Sequence, residues 1–193
     1  SAAAPGTTSA LLGAAAVSNA VSYTTPTVNG FSASYQTSVS TRTNERESLS
    51  INYAKGPLSL MFLDIKGSGN TAANGAGGAA IAAISDAPYA GQAIGGSYNF
   101  GFARLSVVNV AVKAAGTATT SDVTSIGATV PMGAYTILAG WNKDNKAAAN
   151  ADTKMAIGAN YALSKRTTVG ADLFKQEAVG ASTGFVVRVG HTF

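Results

Sequence analysis

The sequence contains no cysteine, one histidine and one tryptophan, and only 11% of its 193 residues are charged. Without cysteine there is no disulfide framework and no thiolate metal site. The single histidine, His191, is the one ring available to any Ser-His-Asp arrangement. The nine acidic residues are dispersed and form no two-carboxylate motif. We therefore expect no enzyme, no metal and no cofactor.

Long hydrophobic runs are also missing, although the chain is poor in charge. The longest apolar stretches, Ala10–Val17 and Ala79–Ile84, fall far short of the roughly 20 residues that a membrane helix needs. Soluble proteins carry about 25% charged residues, more than twice the share found here. A β-barrel reconciles the two observations, because each spanning strand needs only about 9–11 residues and only alternate ones are apolar.

Alternating apolar and polar residues predict eleven strands. In chain order they are Asn19–Thr25, Gly30–Val39, Arg46–Ala54, Leu58–Lys66, Ala93–Asn99, Phe102–Lys113, Asp122–Val130, Ala134–Asn142, Asp152–Leu163, Thr167–Gln176 and Thr183–Phe193. Two of these strands, Leu58–Lys66 and Phe102–Lys113, are apolar on both faces for part of their length. Their outward side stays open at this point, since a bulge can switch it.

The connections between these strands alternate in length. The short ones lie at Pro26–Asn29, Gly56-Pro57, around Gly101, Pro131–Gly133 and Ser164-Lys165. The longer ones lie at Ser40–Glu45, Gly67–Gly91, Ala114–Ser121, Lys143–Ala151 and Glu177–Ser182. Tight periplasmic turns and larger external loops are typical of outer-membrane barrels. The glycine-rich run 67–78 lacks the Gly-Lys-Ser/Thr of a phosphate loop and is interpreted as part of an external loop.

Most aromatic residues lie next to the short connections. Tyrosine and tryptophan favour the membrane–water boundary, because one end of the side chain is apolar and the other forms hydrogen bonds. Trp141 and Phe174, near the long-loop ends, are assigned to an outer girdle. The predicted periplasmic girdle contains Tyr23, Tyr53, Tyr98, Tyr135, Tyr161 and Phe193.

The C-terminal strand carries the most specific resemblance. One face presents Phe185, Val187, Val189, His191 and Phe193. This pattern resembles the C-terminal signature of bacterial outer-membrane proteins, which their assembly machinery reads. The ending His191-Thr192-Phe193 is similar to that of β-proteobacterial general porins, and two further segments resemble porin hairpins, namely 19–35 and Asn160–Thr167.

The resemblance implies a 16-stranded antiparallel transmembrane β-barrel in the outer membrane of a Gram-negative bacterium. It also implies a homotrimer in contact with outer-membrane lipid and lipopolysaccharide, with no nucleic-acid partner. Counted back from the last strand, Asn19–Thr25 is the sixth strand. Residues 1–18 are then the tail of the inward-folding constriction loop, 19–193 are the C-terminal strands, and the N-terminal strands of the same protein are missing. The alternative is a complete smaller barrel with Ala10–Val17 as a twelfth strand.

Basic residues on the polar face are the predicted pore lining. Placing a charge on the lipid face costs up to about 2–4 kcal/mol, so the alternation and the energy both favour the lumen. Basic side chains lining a pore bias it towards anions, and the net charge of +4 agrees in sign. Each can also be a solvated rim charge, and Asp64 and Asp172 can offset them. The residues are Arg188, Arg46, Lys154 and Arg104.

Together these features predict a passive diffusion channel for small hydrophilic solutes and ions, mildly anion-preferring. One alternative is a non-conducting structural or adhesive barrel that displays its external loops. The other is an outer-membrane hydrolase, which requires a Ser/His pair or its equivalent near a barrel rim and is disfavoured by the position of His191 at the chain end.

Overall fold

The computed structural model describes residues 20–39, 46–67, 89–114, 119–145, 153–177 and 181–192. These residues form eleven strands and the turns that join them. The strands are β1 (Ala20–Thr24), β2 (Phe31–Ser38), β3 (Arg46–Lys55), β4 (Leu58–Gly67), β5 (Tyr89–Asn99), β6 (Arg104–Ala114), β7 (Thr119–Met132), β8 (Tyr135–Asp144), β9 (Thr153–Ala162), β10 (Thr167–Glu177) and β11 (Ser182–His191).

All eleven strands belong to one sheet, in which spatial order follows chain order from β1 to β11. Strands β1 to β4 pair with their neighbours in antiparallel order, and so do strands β7 to β11. The predicted all-β antiparallel fold class is therefore confirmed, strand by strand. In the part of the chain that the structure describes, no helix has the length and apolarity to cross a membrane.

Short turns join the strands at the predicted places, and glycine makes several of them possible. Gly56 has φ 59° and Gly133 has φ 62°, in the left-handed region that other residues rarely adopt. In the turn after β5, the amide of Phe100 donates to the carbonyl oxygen of Ala103 at 2.8 Å. The tight turns thus hold neighbouring strands in fixed register.

Several strand ends differ from the sequence prediction. β5 begins at Tyr89, four residues before the predicted start at Ala93, and β6 begins at Arg104 because residues 100–103 form the turn. β7 continues through Pro131, opposite Thr136. Proline is tolerated there because the position is next to the hairpin turn. β11 ends at His191, and Phe193 lies outside the described residues.

The described residues fall into two compact units. The first contains the described residues through Gly96 together with Asn109–Asp122. Directly opposed residues of antiparallel strands share a face. In the first unit one face of β2 and β3 is polar, where Ser34 pairs with Ser50. The other face is apolar and exposed, with Ile51 42% and Phe31 56% accessible.

The second unit contains Ser97–Val108 together with Val123–Phe193. Its apolar face is the more exposed one, since Leu173, Phe185 and Val187 are 61%, 74% and 68% accessible. Leu173 pairs with Ile157 on one side and with Phe185 on the other, which makes a continuous apolar row. The opposite face of the same strands carries Asn142, Lys154, Asn160, Asp172 and Arg188.

Candidate functional site

Arg188 lies at the centre of a three-strand polar network on the polar face of the second unit. Its Nη2 donates to Asp172 Oδ1 on β10 at 2.8 Å and to Asn160 Oδ1 on β9 at 3.1 Å. The guanidinium also forms an ion pair with Asp172 Oδ2 at 2.8 Å. The two side chains remain 39% and 25% accessible. The network therefore ties β9, β10 and β11 together while it still meets solvent.

Two glycines leave room for this network. Gly158 pairs with Asp172 and Gly170 pairs with both Asn160 and Arg188. A Cβ atom on Gly158 would collide with the Asp172 carboxylate, and one on Gly170 would collide with Asn160 Oδ1. Because these two glycines have no side chains, the carboxylate of Asp172 and the amide of Asn160 can lie across the neighbouring strands.

Arg104 occupies the polar face at the short-turn end of β6. Its Nη2 donates to the hydroxyl of Ser97 at 2.9 Å, and Ser97 is only 5% exposed. Arg104 forms no ion pair within the described ranges. Its guanidinium donates to a neutral hydroxyl, so no carboxylate there offsets its positive charge. This differs from Arg188, whose charge is matched by a carboxylate.

The other two basic candidates are less defined. Lys154 pairs with Asn142 on β8 and with Gln176 on β10, which places it on the polar face as predicted. Arg46 is described only through its backbone pairing with Gly67 at the start of β3. Of the predicted offsetting carboxylates, Asp172 meets Arg188. Asp64 lies on the opposite face, where it contacts Lys66 at 3.7 Å and accepts a hydrogen bond from Gln92 at 2.8 Å.

An apolar patch on the polar face of the first unit was missed by the sequence reasoning. Met61, Leu63 and Ile65 pair with Asn52, Ser50 and Ser48, so they share the polar face. All three are 5–7% exposed, and they cluster with Ala93 against Val110 and Val112. The register resolves the open question about the Leu58–Lys66 strand, whose Leu60 and Phe62 lie on the exposed face with Tyr53 and Ile51.

The predicted girdle residues lie beside the short turns, and several form ring pairs there. Phe31 contacts Tyr53 with ring centroids 4.5 Å apart, and Tyr135 contacts Tyr161 at 4.6 Å. Tyr98 packs on Phe100 at 4.7 Å. Tyr23 pairs across the strands with Tyr35 and is 66% exposed. Tilted ring pairs of this kind add modest stability to exposed apolar surfaces.

The C-terminal strand presents Phe185, Val187 and Val189 on one highly exposed row, with His191 continuing that row. His191 Nδ1 lies 2.9 Å from the hydroxyl of Thr167, its cross-strand partner. Within the described residues, no three His, Cys, Asp or Glu side chains are grouped so as to hold a metal ion.

The eleven antiparallel strands have an exposed apolar face and, opposite it, a polar face. These features agree with one protein family. The model of the Gram-negative porin family matches residues 2–179. The chain belongs to the Gram-negative porin family. This porin is accordingly a protein of the cell outer membrane. No curated protein matches its sequence.

Solved structures show the same fold at low sequence identity. A loop-deletion mutant of OmpT, an outer membrane protein of Vibrio cholerae, matches 89% of the porin with a TM-score of 0.62 and 16% identity. A triple mutant of the Rhodopseudomonas blastica porin matches 92% with a TM-score of 0.61 and 19% identity. The trimer form of the Vibrio OmpT matches 97% with a TM-score of 0.61 and 16% identity.

The porin chain spans only part of these structures. It covers 61% of the loop-deletion mutant, 57% of the Rhodopseudomonas blastica porin and 67% of the trimer form. The likeness therefore shows that the chain has the fold of outer-membrane barrel proteins. The chain corresponds to only part of each matched structure.

Proposed function

We propose that the complete protein is a passive diffusion channel for small hydrophilic solutes and ions. The observation that carries the proposal is the two-faced sheet. One face is exposed and apolar, as a lipid-facing surface must be. The other carries hydroxyl, amide and charged side chains suited to a water-filled lumen. Diffusion through such a lumen needs no bond-making chemistry, so no catalytic group is required.

The pore should prefer anions mildly. On the polar face Arg104 is an arginine whose acceptor is a neutral serine. Arg188 is matched by Asp172, so the pair contributes little net charge as long as both groups are present. Basic side chains that line a pore favour anions. We assign Arg104, Lys154, Arg46 and Arg188 to this lining.

Further strands of the same protein are proposed to complete the barrel. In the sheet order, β1 and β11 each have one neighbour among the described strands. Bacterial barrels of this type have an even number of strands, and the chain spans about three fifths of its first structural neighbours. The trimer form of one neighbour supports a homotrimer, and lipid and lipopolysaccharide are the expected surroundings.

Residues 1–18, which lie outside the described residues, are proposed to be the tail of the constriction loop. The apolar patch of Met61, Leu63 and Ile65 supports this, because a buried apolar surface on a lumen-facing side suits a segment folded inward. The chain has no cysteine, so the contact can be tested cleanly. In the full-length protein, an Ala10→Cys, Leu63→Cys pair should cross-link, whereas Ala10→Cys with Leu173→Cys should not.

Solute flux tests the function itself. Liposomes carrying the full-length protein should swell in iso-osmotic solutions of small sugars, at rates that fall as the sugars become larger. A non-conducting structural or adhesive barrel would leave the liposomes as tight as protein-free ones. That result would remove the diffusion proposal and leave the family and fold unchanged.

A further inference from the structure

An aromatic ring lies on the polar face of the second unit. The sequence pattern assigns Phe174 to an outer girdle, and the register corrects this assignment. Phe174 pairs with Ala156 on β9 and with Gly184 on β11, so it shares the face of Asp172 and Arg188. Its side chain is 38% accessible. A phenylalanine on a face that is proposed to meet water does not serve as a membrane anchor.

The ring of Phe174 lies over Gly184 with one face turned to the sheet. A Cβ atom on Gly184 would lie 2.5 Å from Cζ of the ring and 3.0 and 3.1 Å from its two Cε atoms. These distances put the Cβ position under the ring face near Cζ, because a position in the ring plane would be farther from both Cε atoms. Glycine within a strand often marks a close approach of this kind. The other face of the ring is therefore turned away from the sheet, towards the lumen.

Polar side chains stand on both sides of this ring along β10. Asp172 lies two residues before Phe174 and Gln176 lies two residues after it, so each is about 7 Å away at the usual rise of a strand. Gln176 pairs with Lys154 on β9, which adds an ammonium group on that side. The carboxylate of Asp172 is held by Arg188 and remains 25% accessible. The ring is thus bordered by hydrogen-bonding groups at both ends.

The chemistry of this surface fits a neutral solute that has one apolar face. The face of an aromatic ring carries partial negative charge, so it does not attract an anion. Lys154 and Arg188 outnumber the single carboxylate of Asp172, so the surroundings do not favour a cation on the ring. A pyranose has C–H groups on one face and hydroxyl groups around its edge. It can therefore stack on Phe174 while its hydroxyl groups meet the neighbouring polar side chains.

We propose that Phe174 is a stacking platform for a pyranose sugar on the pore wall, with Asp172 and Gln176 as hydrogen-bond partners of the sugar hydroxyls. The proposal rests on the proposed diffusion function, because it places the solute in the lumen. Phe174 lies three residues before the end of β10, next to one of the longer connections, so the site is near the external mouth of the pore. A site on a diffusion path must release its solute readily, and one ring with few hydrogen bonds meets that requirement.

The test measures the equilibrium binding of methyl β-glucoside to the purified full-length protein. Saturation-transfer NMR gives the affinity, in a detergent that has no sugar headgroup. Phe174→Ala removes the platform, and Phe174→Leu keeps an apolar side chain without the aromatic ring. Phe185→Ala is the matched control, because Phe185 pairs with Leu173 on the apolar face. Sorbitol is the control solute, since it has the hydroxyl groups of a hexose but no closed ring with an apolar face.

Two glycine variants test the position of the ring itself. Gly184→Ala introduces a methyl group where the ring lies, so it should displace the ring and weaken glucoside binding. Gly190 lies on the same strand and the same face, where the nearest atom to an added Cβ is the Thr168 carbonyl oxygen at 4.0 Å. Gly190→Ala should therefore leave the affinity unchanged.

Phe174→Ala and Phe174→Leu should each weaken glucoside binding about fivefold, and Phe185→Ala should bind as the wild type does. Sorbitol should bind the wild type no better than it binds Phe174→Ala. Wild-type affinity in either Phe174 variant would overturn the proposal, and so would equal affinity of the wild type for glucoside and sorbitol. The measurement needs no current. Binding without conductance would thus remove the diffusion channel and leave the sugar site, whereas conductance without binding would remove the sugar site alone.

Discussion

The guanidinium of Arg188 on β11 and the carboxylate of Asp172 on β10 are 2.8 Å apart on the polar face of the sheet. The two residues are diagonal neighbours, because Arg188 pairs with Gly170 and Asp172 pairs with Val186. Asn160 on β9 accepts a second hydrogen bond from the same nitrogen. One arginine thus joins three strands, and its charge is nearly cancelled by its partner.

This pair makes selectivity depend on which partner is removed. Arg188→Gln leaves Asp172 unmatched, so the pore of the full-length protein should shift towards cations. Asp172→Asn leaves Arg188 unmatched and should shift it towards anions, and the double variant should return close to wild type. Reversal potentials across a KCl gradient measure all three. The effects should fade at high salt, since the Debye length falls from about 10 Å at 0.1 M to about 3 Å at 1 M. Shifts of the same sign in both single variants would contradict the pairing.

Arg104 should act without such compensation. Arg104→Gln removes a positive charge that is hydrogen-bonded to the neutral hydroxyl of Ser97. The anion preference should therefore fall. Unlike the Arg188 variant, this one has no partner carboxylate whose neutralisation would restore the preference. As a comparison, Asp172→Asn is added to the Arg104 variant. Since it leaves Arg188 without its partner, it should raise the anion preference by the same amount whether or not Arg104 is present. Reversal potentials at 0.1 M KCl are the measurement. A wild-type value for Arg104→Gln would remove this residue from the pore lining.

Gly158 should be intolerant of a side chain. A Cβ atom there meets the Asp172 carboxylate and the Ala171 carbonyl oxygen, whereas one on Gly140 meets nothing within 4 Å. We expect Gly158→Ala to lower the free energy of unfolding by about 1–3 kcal/mol, as overpacking does. Gly140 lies on β8, on the same face of the sheet as Gly158, and Gly140→Ala should change the free energy of unfolding by less than about 0.5 kcal/mol. Urea unfolding in detergent compares the two, and equal midpoints would mean that the network has room to shift.

The apolar patch on the polar face should contribute to stability as a core does. Leu63 is 5% exposed, whereas Leu173 on the apolar face is 61% exposed. Leu63→Ala should therefore cost about 2–5 kcal/mol, and Leu173→Ala about 0.5 kcal/mol or less. The same residue type is changed in both, so the comparison isolates burial. Similar losses in the two variants would show that Leu63 faces lipid rather than a packed interior.

The aromatic girdle predicts a common depth for side chains that the sequence places beside short turns. Nitroxide labels at positions 53, 98, 135 and 161 should all report the membrane boundary. Labels at the apolar-face positions 139 and 157 should be more accessible to oxygen and less accessible to polar nickel reagents. Phe193, outside the described residues, is expected at the same level. Depths that scatter evenly across the membrane would count against the girdle.

Much of this architecture was predictable from the sequence, because strand alternation and turn glycines are local signals. All eleven strands were predicted, and the alternation placed Arg188 and Lys154 on the polar face of the sheet, where the register has them. Their role in lining a pore stays a prediction. The face of β4 was not predictable, since both of its sides are apolar and only the register with Ser48 and Ser50 decides it. The partner of Arg188 depends on the same kind of information, because a shift of one residue between β10 and β11 would separate it from Asp172.

Single-channel recording in a planar bilayer tests the central claim most directly. The full-length protein in 1 M KCl should insert in discrete steps, each an ohmic conductance that scales with salt concentration, as expected for a water-filled pore. Under a KCl gradient the reversal potential should show a mild preference for chloride. A protein that is folded and inserted, as judged by its resistance to protease, yet adds no current steps would contradict the account of this porin as a diffusion channel.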